Sequence, residues 1–200
     1  MLKFTTIIFD LSEVYLQWLK WTEFKLASIL FISPEIINKK FFTKKLSLLF
    51  NWKISEDQYL VDLVQNNNWN ISICELKNLI RNNFIEISWT KEIIEKLKHK
   101  WYKLWILSVH AKEWIEYCNN KYNYHWIFDY IVYSFDIWVS KPDKKSFLHI
   151  LDLTQEDPKN ILYIDDNIEN VNTSINLWMK WILFTNSYQL ENILKQKKIL

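Results

Sequence analysis

The sequence predicts an α/β fold, a Rossmann-like, mostly parallel sheet core with an inserted α-helical cap. Two observations carry that expectation. From residue 89 onward, short apolar β-branched runs alternate with single amphipathic stretches, the pattern of parallel strands joined by helices. The first such run is cut off from the rest by a long segment, 15–88, whose periodicity is helical. The core is therefore expected over 1–14 and 89–200, with 15–88 as a cap over the carboxyl edge of the sheet, where such folds bind ligands.

The elements follow in order. "FTTIIF", ending at Phe9, is a buried first strand. In the inserted segment Ser33-Pro34-Glu35 supplies an N-cap with proline at the first helical position. Ser55 opens a helix with two acids in its first turn, and Ser72 and Glu75 have capping-box spacing. Beyond Thr90, read as a cap, the pattern gives helix 91–100, strand 102–108, helix 111–122 and a strand at "YIVYS". A helix from Pro142 to Leu151, the strand "NILYID", helix 167–177, strand 179–184 and a terminal helix complete the chain.

Composition narrows the function. Half of the 200 residues are apolar, which excludes a disordered chain. Lys plus Arg is 25 against 23 for Asp plus Glu, so neither nucleic acid nor an anionic membrane is expected as a partner. No apolar run reaches the roughly 20 residues of a membrane helix, and Asp10 ends the N-terminal run too early for a signal peptide. Cys74 and Cys118 form no Cys-x-x-Cys pair and read as buried thiols of a reducing cytosol. The expectation is a cytoplasmic protein, a monomer or homodimer.

The chain has 12 tryptophans and no glycine, where ordinary usage would place roughly 14 glycines. Trp101 and Trp178 stand where helices usually close on a left-handed residue, the conformation glycine takes without a Cβ penalty. Trp89 and Trp138 fall in expected turns. Some bacterial lineages read UGA as glycine, and a translation in the commoner alternative code writes Trp there. The Lys-, Asn- and Ile-rich composition fits an AT-rich genome, so most of these positions are expected to be glycine in the cell, with a naturally glycine-free protein as the alternative. Trp69 and Trp114, in polar or helix-like contexts, read as genuine.

Four segments at or just beyond strand ends carry chemistry: Asp10 in "IIFDLSEV", Ser108 in "LWILSVH", Lys141 in "VSKPD", and Asp165-Asp166 in "ILYIDDNIEN". Singly, each has a structural reading as a turn residue, helix cap or surface charge. Parallel strand ends share one edge, so the groups can converge. A carboxylate nucleophile, a hydroxyl, a lysine and an acidic pair together suit phosphoryl transfer with Mg²⁺. His99, His125 and His149 show no metal-ligand spacing.

With these motifs in this order, nearly the whole chain resembles the haloacid dehalogenase-like (HAD) hydrolase superfamily, with the insertion at the family's first cap position. The resemblance implies Asp10 as nucleophile, Ser108 and Lys141 as catalytic and substrate-binding groups, and Val109 beside them. It also implies a Mg²⁺ site from Asp10, Asp166 and the Ser12 backbone carbonyl, supported by Asp165 and Asn170. Glycine at Trp138, Trp178 and Trp181 would improve the match. The expected activity is a Mg²⁺-dependent phosphatase acting through an aspartyl-phosphate on a small phosphorylated metabolite. Two departures stand out. Ser12 occupies the place of the family's second Asp, the general acid–base, and Val109 that of a frequent Asn. Losing a positioned acid typically costs about 10²–10⁴ in rate, so the alternative is a degenerate member that binds a ligand or partner without turnover. Glu13 and His110 are the candidate substitute acids, each with a structural role as its plainer reading.

Overall fold

The computed structural model describes residues 4–200. A five-stranded sheet in the order β5-β4-β1-β6-β7 is parallel throughout. Its strands are β1 (Thr6–Phe9), β4 (Lys103–Ser108), β5 (Tyr130–Tyr133), β6 (Ile161–Asp165) and β7 (Lys180–Leu183). The crossovers α6 (Ser88–His99), α7 (Lys112–Tyr122), α9 (Lys144–Thr154) and α10 (Ile168–Asn176) join them, with α11 (Ser187–Gln196) last. Successive strand side chains point to opposite faces. Ile7 and Phe9 accordingly join the larger apolar cluster, while Ile8 joins a second one with Trp105, Leu107 and Tyr163. Both faces of the sheet are buried, as a parallel sheet requires.

Between Phe9 and Ser88 lie α1 (Thr22–Leu30), α2 (Pro34–Phe41), α3 (Lys44–Phe50), α4 (Glu56–Asn67) and α5 (Ile73–Arg81). Ser33, Ser55 and Ser72 cap three of them through their side chains, the latter two as full capping boxes. Buried Leu26, Ile37, Phe41 and Leu60 of these helices belong to the same apolar cluster as the sheet's Ile7 and Phe9.

The structure corrects several sequence expectations. The inserted segment is not helical throughout, because β2 (Leu16–Gln17) and β3 (Ile85–Glu86) pair antiparallel at its two ends. Strands of two residues carry too little pattern to be read. Thr90 does not cap α6; it lies inside the helix and its hydroxyl pairs with Ser187, while Ile87 stands at the N-cap without a side-chain bond. Trp89 is likewise in the helix, its indole N–H donating to Glu191. A short helix α8 (Ser134–Ile137) follows β5, and α9 begins two residues after Pro142. Cys118 is buried, but Cys74 is exposed.

Five tryptophans have left-handed backbones: Trp21, Trp52, Trp101, Trp138 and Trp178, with φ of 70°, 52°, 66°, 54° and 67°. All are exposed, Trp101 by 93%, Trp178 by 73% and Trp138 by 70%, so little burial offsets the strain. Trp181 differs from expectation. It lies in β7 outside the left-handed region, and no backbone requirement selects glycine there. Trp114 is fully buried and donates its indole N–H to Glu56.

A left-handed residue carrying a Cβ costs about 1–2 kcal/mol relative to glycine. Glycine at the five positions together should therefore raise the melting temperature by roughly 10 °C or more, at about 2–4 °C per kcal/mol for a chain of this size. Trp114→Gly should instead destabilise by about 3 kcal/mol or more. Thermal denaturation of the three proteins checks both, and sequencing the gene should find UGA at the five positions. Equal melting temperatures for the five-glycine and parent chains contradict the strain argument, and UGG at all five contradicts the codon reading.

Candidate active site

Ser108 ends β4, Asp165 ends β6, and Asp10 directly follows β1 between them, so register alone gathers these residues at one edge. The chain leaves β1 toward β4 and returns to β6 on its other side, which makes this edge a topological switch point. Asp10 is buried and anchored through Oδ1. That oxygen accepts the Leu11 N–H at 2.7 Å, the Ser108 hydroxyl, and the Lys141 ammonium at 2.9 Å. Three donors on one oxygen fix the carboxylate plane.

Lys141 reaches in from the loop after α8, and its side chain is only 3% exposed. Its Nζ also lies 2.6 Å from Asp165 Oδ2. Burial alone would lower its pKa, but the carboxylates of Asp10 and Asp165 outweigh burial and hold the ammonium above the usual lysine value. Asp165 is fully engaged. It accepts from Lys141, the Tyr163 hydroxyl, the Asn167 N–H at 2.8 Å and Asn170 Nδ2 at 3.1 Å. Asp166 remains accessible at the mouth of the site. One oxygen each of Asp10, Asp165 and Asp166 lie within 4.8 Å of one another. Partial burial, then the charges of Asp10 and Asp165, push the Asp166 carboxyl up to about 7.

The two candidate acids are committed elsewhere. Glu13 Oε1 accepts the backbone N–H groups of Trp18 at 3.0 Å and Lys20 at 3.4 Å, so it holds the loop. His110 is buried, and burial followed by the Lys141 charge drives its pKa well below the ordinary value. Ser108 spends its proton on Asp10, so its oxygen accepts from His110 Nε2 at 2.9 Å, with Ser12 Oγ 3.4 Å from the same nitrogen. His110 therefore orients Ser108 as a neutral donor.

Ser12, Val109 and Asp166 border a polar cavity of about 230 Å³ together with Asp10, Lys141, Asn167 and Asn170. The same three residues border a second cavity of about 420 Å³, whose other walls include Trp18, Leu19, Phe42, Leu46 and Phe50. Sequence reasoning missed Tyr163, Asn167 and these apolar walls. Tyr163 was detectable in principle, because two residues before Asp165 on one strand means the same face. The apolar walls carry no local signal.

The site makes a titration prediction. In the unfolded chain Asp166 ionises near about 3.9, while in the folded, metal-free protein it keeps its proton up to about 7. Between those values the unfolded state binds fewer protons, so this group's contribution falls as pH rises and levels off above about 7. His110 has the opposite sign, since its depressed pKa costs stability as pH falls through the unfolded value. The two separate in a difference measurement. The unfolding free energy of the parent minus that of Asp166→Asn should fall from pH 4 to 7 by denaturant titration, and a flat difference removes the shift.

Known proteins share this fold. The sequence model of haloacid dehalogenase-like hydrolases matches residues 37–184. No curated protein matches the chain. The HAD family enzyme BT-2542 of Bacteroides thetaiotaomicron superposes with a TM-score of 0.75 at 18% identity, over 92% of this chain and 94% of that one. That enzyme has also been solved in complex with magnesium and inorganic phosphate. A predicted HAD-like hydrolase of Porphyromonas gingivalis gives 0.76 at 18% identity over 98% of each chain. The L-2-haloacid dehalogenase of Xanthobacter autotrophicus, with chloropropionic acid covalently bound, gives 0.65 at 13% identity over 98% of this chain and 84% of that one. Among the described residues no helix is long and apolar enough to cross a membrane.

Proposed function

Because the chain belongs to the haloacid dehalogenase-like hydrolase family, we propose that it is a Mg²⁺-dependent phosphatase acting on a small phosphorylated metabolite. One observation carries this reading: three carboxylates crowd one edge against the single charge of Lys141. When all three are ionised, two negative charges are left over, which an anionic substrate could not approach without a divalent cation. Carboxylate oxygens are the donors Mg²⁺ prefers. Asn170 Oδ1, buried and without a partner, adds an amide oxygen beside them. Asp10, Asp166 and the Ser12 carbonyl would hold the ion, with Asp165 and Asn170 as support.

When bound, Mg²⁺ supplies charge neutralisation at the phosphoryl oxygens. The chain's own groups do the rest. Lys141, and Ser108 once its hydroxyl turns from Asp10 to the substrate, position the phosphoryl group, and Asp10 attacks phosphorus to give an aspartyl-phosphate that water hydrolyses. The fixed carboxylate plane of Asp10 gives the nucleophile one direction of approach. A dehalogenase would present a carboxylate substrate to the same acidic edge and has no use for the acidic pair. Ser12 favours the second reading, a binding protein without turnover. It leaves the leaving group without a positioned acid, since Glu13 and His110 are committed elsewhere.

Asp10→Asn should abolish Mg²⁺-dependent phosphate release, and Asp166→Asn should weaken Mg²⁺ binding measured by calorimetry. Retained turnover in the first, or undiminished affinity in the second, contradicts these assignments. Ser12→Asp should raise turnover of alkyl phosphates by about 10² or more, with little gain on nitrophenyl phosphate, whose leaving group needs no proton. A flat response on both substrates, with Mg²⁺ bound, would show that the missing acid is not what limits the site.

A further inference from the structure

We propose that the substrate is an aryl phosphate, the ester of a phenol, bound with its ring in the apolar cavity and its phosphoryl group at Asp10. The proposal rests on the phosphatase reading of the same site and specifies its leaving group. Two independent observations carry it, one about shape and one about proton supply.

The site has two halves that share Ser12, Val109 and Asp166 as their border. The inner half, about 230 Å³, is walled by charged and amide groups, and suits the phosphoryl group. The outer half, about 420 Å³, is walled mainly by Trp18, Leu19, Phe42, Leu46 and Phe50, with Glu13 and Lys20 as its charged members. A phosphoryl group anchored in the inner half directs its ester oxygen outward, so the leaving group meets these apolar walls. A cavity of about 150 Å³ already admits benzene, so the outer half takes a ring with substituents. A polyhydroxylated leaving group would set most of its hydroxyls against apolar side chains, with Glu13 and Lys20 able to meet only a few of them, which the chemistry disfavours. The Phe42 and Phe50 rings can stack on or edge against an aromatic one.

No group in the site is placed to protonate the leaving oxygen. Position 12 holds a serine, the Glu13 carboxylate caps the Trp18 and Lys20 amides, and His110 directs its N–H to Ser108. Asp166 is assigned to the cation and so is not a proton donor. Such a site discriminates by leaving-group acidity: a phenol ionises at about 10, as tyrosine does, whereas an alkanol holds its proton far more tightly, much as bulk water does. The Asp10 carboxylate bonds to phosphorus, the aryl P–O bond breaks, and its electron pair leaves on the phenolate, which takes a proton from bulk water. A second water then attacks phosphorus, the bond between phosphorus and the Asp10 oxygen breaks, and inorganic phosphate leaves with the free carboxylate restored.

The test uses the full chain with Mg²⁺ and four substrates: phenyl, cyclohexyl and glycerol phosphates, and acetyl phosphate as a compact acyl phosphate with a good leaving group. Phenyl phosphate should exceed glycerol phosphate in kcat/KM by about 10² or more. Cyclohexyl phosphate should share the low KM of phenyl phosphate but not its kcat, because it fits the apolar walls and lacks the leaving group. Phe42→Ser, at an exposed position, should lower the ratio of phenyl to acetyl phosphate kcat/KM about tenfold through KM. Turnover of acetyl phosphate with phenyl phosphate no better than glycerol phosphate would overturn the proposal and leave the phosphatase reading standing. An unmoved ratio in a folded Phe42→Ser would also overturn it. Absence of Mg²⁺-dependent turnover on all four would overturn both.

Discussion

One buried ammonium organises the carboxyl edge of this sheet. Lys141 Nζ lies 2.9 Å from Asp10 and 2.6 Å from Asp165, with side chains almost wholly removed from water. It binds the loop after α8 to the ends of β1 and β6, three stretches of chain that share no sequence neighbourhood. A buried pair of this kind contributes little net stability against a well-packed apolar alternative, yet removing one partner strands a charge and typically costs about 3–5 kcal/mol. The arrangement is therefore worth more as a positioning device than as a source of stability. Asp10, Ser108 and Asp165 are each oriented by bonds that lead back to Lys141 within two steps.

The inserted helices are tied to the sheet by a second buried charge. Glu56, at the start of α4, accepts from Arg81 of α5 at 2.6 Å and from the indole N–H of Trp114 of α7 at 2.8 Å. Glu113 of α7 accepts the Glu56 backbone N–H at 3.1 Å. Together with the continuous apolar cluster, this network sets where α3 lies over the site, and α3 carries Leu46 and Phe50. The position of the apolar walls is thus determined by a salt bridge and a helix-to-helix hydrogen bond remote from the phosphoryl chemistry.

Much of the architecture was legible in the sequence because it is local. The capping serines, the β-branched runs and the residues at strand ends all announce themselves within a few positions, and register then brings the strand ends together. What was not legible depends on distant partners. β2 and β3 are two residues each and exist only because the ends of the inserted segment meet. Thr90 looks like a cap in sequence, but its hydroxyl found Ser187 of the last helix instead. The same limit hid the commitments of Glu13 and His110, since the first follows from closure of the loop on Trp18 and Lys20 and the second from burial beside Ser12 and Lys141.

The tryptophan anomaly and the site meet at Trp138. It closes α8 with φ of 54°, in the left-handed region, and three residues later the chain places Lys141. Ser140, between them, has its hydroxyl 3.2 Å from Asn51 Oδ1 of the inserted segment, so this loop is held at both ends. A bulky residue at the closing position stores strain of about 1–2 kcal/mol in the segment that must deliver the ammonium. Glycine there would relax the turn without touching any group of the site. The demand for a left-handed residue at 138 is then part of how the loop aims Lys141, and the backbone conformation of one exposed turn constrains the geometry of the buried charge on which the carboxyl edge depends.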